Sequence, residues 1–149
     1  CHETYKDEDN KWISPDEVFT DNGKDFFKIK DKKKILVGPS ESMSKSKKNT
    51  IDPEKIIDQF GADAVRFFIL SDSPPEKDVQ WSEQGMIAAY KFVQKFWLLH
   101  NEIMNEIKNK KRKNENVSLT IYTNKLIEKY TFSLEKFNMN VLIAYLHET

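Results

Sequence analysis

The feature that most constrains the fold is a long stretch of helical periodicity from Ser82 to Lys108. It predicts one helix of about 25 residues, capped at its start by Ser82. Apolar residues recur in two adjacent rows, which predicts a broad face buried against other helices. We interpret these rows, and the neighbouring Trp81, as packed core and not as a cofactor site. The rows consist of Met86, Tyr90, Val93 and Trp97, and of Ala89, Phe92, Phe96, Leu99, Ile103 and Ile107.

Two shorter helices are predicted before it. The first is capped by Asp52, has proline at its first position and stops at Gly61. The second is predicted to be capped by Asp63. We therefore interpret both aspartates as helix caps and not as catalytic carboxylates. Arg66 is expected to pair with an acid on a neighbouring helix.

The rest of the chain divides into strands at one end and helices at the other. Residues 1–37 predict short strands separated by turns, whereas helices are predicted at about 119–135 and 138–148. The predicted class is α+β, mainly α. The predicted segments are a strand-rich module at 1–37, a loop at 38–50, short linking helices at 51–81 and the start of a helical bundle at 82–149.

Composition narrows the function classes. Lys plus Arg equals Asp plus Glu at 24 each, so global charge predicts no nucleic-acid partner. The only cysteine is Cys1, which excludes an internal disulfide and a multi-cysteine zinc site. His2, His100 and His147 show no ligand spacing, so no metal site is predicted. We interpret His100 and His147 as surface or packing residues.

Two observations concern location and completeness. No apolar run approaches the roughly 20 residues that span a membrane, and no signal peptide is visible. A cytoplasmic location is therefore expected. The chain starts at Cys1 instead of Met and stops inside a predicted helix, so we expect a fragment.

The predicted loop at 38–50 carries the chemistry. It is made of small, polar and basic residues, and hydroxyl groups and lysines suit phosphate oxygens. The small residues Gly38, Ser40 and Ser42 are interpreted as a mobile approach. Taken alone, the same pattern also fits a solvated basic loop.

Met43 to Ser46 resembles the Lys-Met-Ser-Lys-Ser signature of the class I aminoacyl-tRNA synthetases. The residues that follow it resemble the subgroup charging leucine, isoleucine, valine and methionine, and further matches resemble the leucyl enzymes. The subgroup matches are Asn49, Asp52-Pro53, Gly61-Ala62-Asp63 and Arg66. The leucyl matches are Pro74-Pro75, Asp78, Trp81-Ser82 and Gly85.

Both ends of the chain extend the resemblance. His2 to Tyr5, with Trp12 to Pro15, resembles the start of the leucine-specific insertion of bacterial-type leucyl enzymes. Phe137-Asn138 and Asn140, followed by Ile143-Ala144, resemble the anticodon-binding helical bundle. The resemblance therefore covers nearly the whole chain.

The resemblance implies a parent enzyme that activates leucine with ATP and Mg²⁺ and transfers it to tRNA(Leu). It implies a catalytic role for Lys45 and contacts to ATP phosphates from Met43, Ser44, Lys45, Ser46 and Lys47. Ser42 stands where the family has its first lysine, which weakens the expected phosphate clamp. The fragment without the remainder of the synthetase chain is expected to be inactive and to bind ATP weakly.

Two alternatives stay open. Isoleucyl and valyl enzymes are close relatives, but they usually carry glycine at the position of Lys48 and lack a strand-rich insertion like residues 1–37. A non-catalytic helical RNA-binding module would be a different class of protein. The basic linker from Lys108 to Asn116 fits a solvated turn or, in the family context, a weak tRNA-backbone contact.

Overall fold

The computed structural model describes residues 1–109 and 116–148 of the 149-residue chain. Most of the predicted basic linker, and the last residue, lie outside these ranges. The chain divides into two compact units, Cys1–Ile56 and Ile57–Thr149. The first contains short antiparallel strands and the second is helical, so the mainly-α α+β prediction is confirmed. The division into four segments stays a prediction.

Two small antiparallel sheets build the first unit. One has the strand order β2-β1-β5, and the other pairs β3 with β4. A short 3-10 helix, Pro15–Glu17, precedes β3. The strands are β1 (His2–Lys6), β2 (Trp12–Ile13), β3 (Val18–Thr20), β4 (Phe26–Lys28) and β5 (Leu36–Glu41).

The apolar core of this unit is small. Tyr5, Ile13 and Ile35 are buried, and Val18 and Phe26 pack against them. The Tyr5 hydroxyl donates a hydrogen bond to the Glu3 carboxylate at 3.1 Å. Burial, followed by the Glu3 charge, raises the pKa of Tyr5 well above its usual range.

Strand β5 extends into the predicted loop. Residues 38–41 pair with β1, so the loop prediction is wrong for this part, and Gly38 and Ser40 belong to a paired strand. A Cβ added at Gly38 would lie 2.4 Å from Thr4 Oγ1. Thr4 Oγ1 itself donates to the carbonyl of Pro39 at 3.2 Å. Glycine at this position therefore permits close packing of two strands.

Five helices are present in the described residues, close to their predicted bounds. The Ser82 hydroxyl accepts the Gly85 N–H at 3.1 Å, and the Asp52 carboxylate accepts the Glu54 N–H at 3.0 Å. Both predicted caps are confirmed. The helices are α1 (Pro53–Phe60), α2 (Ala62–Asp72), α3 (Glu83–Asn109), α4 (Val117–Glu135) and α5 (Met139–Glu148).

Two predictions about α2 are wrong. The residue at its N-cap is Gly61, with φ of 82°, and Asp63 lies inside the first turn. Arg66 pairs with Asp63 of its own helix at 3.0 Å, and not with a neighbouring helix. Residues three apart share a helix face, which explains this pairing. A carboxylate in the first turn is also favoured by the helix dipole.

The core of the second unit lies where α2, α3 and α5 meet. Its buried residues include Ala64 and Phe68 of α2, Met86 and Ala89 of α3, and Ile143 of α5. The Trp81 ring packs edge-on against Phe68 with a centroid distance of 5.5 Å, which confirms the packing role of Trp81.

The predicted burial fails along the second half of α3. Trp97 is 64% exposed, and its neighbours on the helix are exposed as well. Helix α2 has 11 residues and α3 has 27. At about 1.5 Å per residue, α2 can cover less than half of α3. The apolar side chains left exposed are Phe96, Leu98, Leu99, Ile103, Met104 and Ile107.

Candidate functional site

The basic loop, residues 42–50, connects β5 to the residues before α1. A turn forms within it, in which the Lys48 N–H donates to the Lys45 carbonyl at 3.3 Å. Lys48 has a φ of 53°, in the left-handed region. Residues 42–50 belong to no helix or strand.

The two serines of the turn stabilise its shape. Ser44 Oγ lies 3.0 Å from Ser46 Oγ and accepts the Lys47 N–H at 3.3 Å. Serine hydroxyls compete well for backbone partners in turns, which explains these local bonds. The Ser44 hydroxyl thus holds the backbone that follows Lys45.

The three lysines of the loop are in different situations. The Lys47 ammonium forms an ion pair with the Glu41 carboxylate at the end of β5. Lys45 and Lys48 are exposed and, within the described ranges, neither forms an ion pair. Lys45 therefore projects a positive charge from the turn that no carboxylate of the described residues neutralises. Met43 beside it is 38% exposed.

Asn49 is the residue of this site that sequence reasoning missed. It is fully buried, and its Oδ1 accepts the Ser44 N–H at 2.8 Å. Its Nδ2 lies 3.3 Å from the carbonyls of His2 and Glu41 and 3.4 Å from that of Ser42. The sequence placed Asn49 only in the run that follows the signature. A polar side chain after a basic loop gives no signal that it is buried.

The remaining candidates lie in separate elements. His2 is buried in β1, where Nδ1 contacts the Glu3 carbonyl at 2.8 Å. His147 packs against Phe92 with a ring distance of 4.1 Å, and the exposed His100 stacks beside Trp97. The prediction that His100 and His147 are surface or packing residues is confirmed.

Two kinds of feature are absent from the described residues. Nowhere in 1–109 and 116–148 do three His, Cys, Asp or Glu side chains come together as metal ligands. Within the same ranges, no helix combines the length and the apolar character that crossing a bilayer requires.

Comparison with known proteins shows which family this chain resembles. Residues 34–82 match the family of tRNA synthetases class I (I, L, M and V). This range contains the basic loop and extends through α1 and α2 to Ser82. The family model alone does not separate leucine from the other three amino acids.

Three similar proteins are leucine–tRNA ligases. The one from Acidiphilium cryptum is 40% identical over 99% of this chain, and the one from Bartonella quintana is 41% identical over 99%. The one from Parvibaculum lavamentivorans is 49% identical over 71% of the chain. These alignments cover 17%, 17% and 12% of the relatives, so the chain spans less than a fifth of their length. The chain belongs to the class I tRNA synthetases and corresponds to a segment of the leucine–tRNA ligases within that family.

Proposed function

We propose that this segment serves an enzyme that activates leucine with ATP and transfers it to tRNA(Leu), and that its basic loop binds the ATP phosphates. Similarity to leucine–tRNA ligases over nearly the whole chain supports the reaction. The observation that supports the role of the loop concerns Lys45, an exposed cation without an ion-pair partner in the described residues. It lies on a turn in which Asn49 holds the backbone of Ser44.

The chemistry explains why a lysine on a loop is useful. The leucine carboxylate attacks the α-phosphorus of ATP, and the bond to the departing pyrophosphate breaks. Negative charge grows on the leaving phosphates, so a cation placed there stabilises the transition state more than the ground state. Lys45 has this role in the proposal. A loop can also move away, which lets ATP enter and pyrophosphate leave.

The other members of the proposed phosphate site make different contributions. Ser44 and Ser46 present hydroxyl groups, Met43 contributes backbone, and Lys47 contributes a second cation. Because Lys47 pairs with Glu41 in this structure, phosphate would have to compete with that carboxylate. Lys47 is therefore a weaker candidate than Lys48 to replace the lysine that the family has at Ser42.

Three further parts complete the proposal. Mg²⁺ would enter with ATP on phosphate oxygens, as is usual for this ion. Residues 1–37 would belong to the leucine-specific insertion, and the helices of 82–149 to the bundle that binds the tRNA anticodon. The location would be cytoplasmic, as the sequence predicts.

The decisive experiment removes the Lys45 charge in the full-length protein. Lys45→Ala should slow leucine activation by about 10²–10³, because one donor to developing charge typically contributes that much. Leucine binding should change little. Pyrophosphate exchange and single-turnover activation measure both quantities. Lys30→Ala is the control, since it removes the same charge from an exposed residue outside the basic loop, and it should retain most of the rate.

The same assay tests the departure from the signature and the amino-acid identity. Ser42→Lys should raise the activation rate if the missing lysine weakens the clamp. Wild-type activation by Lys45→Ala would show that the loop is not the phosphate clamp. Faster exchange with isoleucine or valine than with leucine would favour the isoleucyl or valyl alternative. RNA binding without exchange with any amino acid would favour the non-catalytic module.

A further inference from the structure

Asn49 joins three pieces of backbone that meet beneath the basic loop. We infer that Asn49 is a positioning residue, which holds the loop in the shape that presents Lys45 to phosphate. The inference rests on the proposed function and adds a residue that contacts no ligand. Asn49 is fully buried, so it acts on the reaction only through the residues it holds.

The hydrogen bonds of Asn49 tie the loop to the strand ends. His2 and Glu41 form the terminal pair of β1 and β5, and the Asn49 Nδ2 group lies 3.3 Å from the carbonyl of each. The carbonyl of Ser42, at 3.4 Å, belongs to the first residue of the loop. One amide group thus anchors both strand ends and the exit of the chain from β5.

The opposite side of the Asn49 amide fixes the turn itself. Its Oδ1 accepts the Ser44 N–H at 2.8 Å, the shortest of its four contacts. Ser44 directly precedes Lys45, and its hydroxyl accepts the Lys47 N–H at 3.3 Å. A fixed Ser44 therefore orients the backbone on both sides of Lys45. A displacement of about 1 Å at a reacting centre can cost about 10²-fold in rate, which makes such anchoring consequential.

An amide is suited to this position because it donates and accepts at once. Its NH₂ group can serve carbonyls, while its oxygen serves a backbone N–H. Alanine would remove all four contacts, and serine could keep some of them at shorter reach. The two variants therefore form a graded series. Asn49→Ala should disturb the loop more than Asn49→Ser.

Thr4 provides the matched control in the same sheet. It is 2% exposed, and its hydroxyl donates to the Pro39 carbonyl at 3.2 Å, which lies outside residues 42–50. Thr4→Val thus removes a buried hydrogen bond between β1 and β5 and leaves the anchor of the loop intact. It separates general loss of stability from loss of loop position.

The experiment measures loop opening and catalysis in the full-length ligase. Hydrogen exchange of residues 42–48 should be faster in both Asn49 variants and unchanged in Thr4→Val. Leucine activation should be about tenfold to hundredfold slower in Asn49→Ala and less affected in Asn49→Ser, with an unchanged KM for leucine. Melting temperatures of the three variants show whether the comparison is made at similar stability.

The outcomes separate this inference from the function on which it rests. Unchanged exchange of residues 42–48 in the Asn49 variants would overturn the inference, as would equal slowing in Thr4→Val. Slow activation in Lys45→Ala with wild-type activation in both Asn49 variants would overturn the inference and leave the phosphate role standing. Wild-type activation in Lys45→Ala would overturn both. If Asn49→Ala does not fold, Asn49→Ser and its exchange rates decide the question.

Discussion

The interiors of the two units contain different kinds of buried side chain. In the strand unit, Thr4 and Asn49 are among the most buried side chains, and both are polar and hydrogen-bonded. In the helical unit, the most buried side chains include Phe68 and Met86, which are apolar, and the small residue Ala64. A unit that must display charged groups on a loop can therefore be organised by buried amides and hydroxyls with only a small apolar core.

The largest effect on stability is expected at Gly38, where the nearby Thr4 hydroxyl leaves no room for a methyl group. Gly38→Ala places a Cβ 2.4 Å from Thr4 Oγ1, so Thr4 must rotate and lose its bond to Pro39. We expect a loss of about 2–3 kcal/mol in the opening free energy of the strand unit, near the upper end for overpacking. Hydrogen exchange of the β1 and β5 amides measures it.

Leu36→Ala is the control for this prediction, because it alters an exposed residue of the same strand and adds no atoms. It should change the opening free energy of β1 and β5 by less than about 0.5 kcal/mol. A loss of similar size in both variants would show that the close approach of Gly38 to Thr4 is not what limits the unit.

The equivalent change in the helical unit should cost less. Gly85→Ala places a Cβ 2.8 Å from Phe68 Cε2, but this ring borders an open pocket lined also by Ser71 and Asp72. The ring can therefore shift without breaking a hydrogen bond. Overpacking of about 1–3 kcal/mol is also offset by about 1 kcal/mol of better helix propensity.

We expect a net loss of about 1 kcal/mol from Gly85→Ala, read from hydrogen exchange of α2 and α3. Gln84→Ala, an exposed neighbour on the same helix, is the control and should be close to neutral. A larger loss for Gly85→Ala than for Gly38→Ala would reverse the contrast between polar and apolar packing.

The smallest effects concern backbone strain, which both units carry. Lys48 in the loop has φ of 53°, and Phe137 after α4 has φ of 57°. A left-handed conformation costs a side chain roughly 1–2 kcal/mol, while glycine loses about 0.5–1 kcal/mol more entropy on folding. Glycine at either position should therefore stabilise its unit by about 0.5–1 kcal/mol.

Local hydrogen exchange around Lys48 and Phe137 measures the effect of each glycine substitution. Lys48→Ala and Phe137→Ala are the controls, because they keep a Cβ. Because Phe137 is 56% exposed, its ring is expected to contribute little packing that glycine would lose. Destabilisation by Phe137→Gly would mean that the ring has a larger packing role in the helical unit than its exposure indicates.

The sequence predicts the helices and their caps better than it predicts which residues pair or pack with one another. Ser82 and Asp52 act as the predicted caps, because capping depends only on residues a few positions away. The predicted cap at Asp63 is wrong because α2 begins at Ala62, two residues before the start that this cap predicts. The predicted partner of Arg66 is wrong because an acid three residues away on the same helix is within its reach.

Burial is harder to predict because it depends on the length of neighbouring elements. The apolar rows of α3 were expected to be covered throughout, but the short α2 leaves Trp97 exposed. The site shows the same limit. Lys45 and its neighbours were identified from their residue types, whereas Asn49 owes its importance to contacts with residues up to 47 positions away. No local pattern reports such contacts.

The enclosure of Asn49 has a consequence for mutational scans of this segment. Ser42 and Lys48 are exposed, so many substitutions there should leave the protein intact. At Asn49, every replacement loses part of a set of four polar contacts in a space without water access. The position least tolerant of change in this loop should therefore be one that never contacts substrate, and intolerance alone would misdirect a search for the ligand.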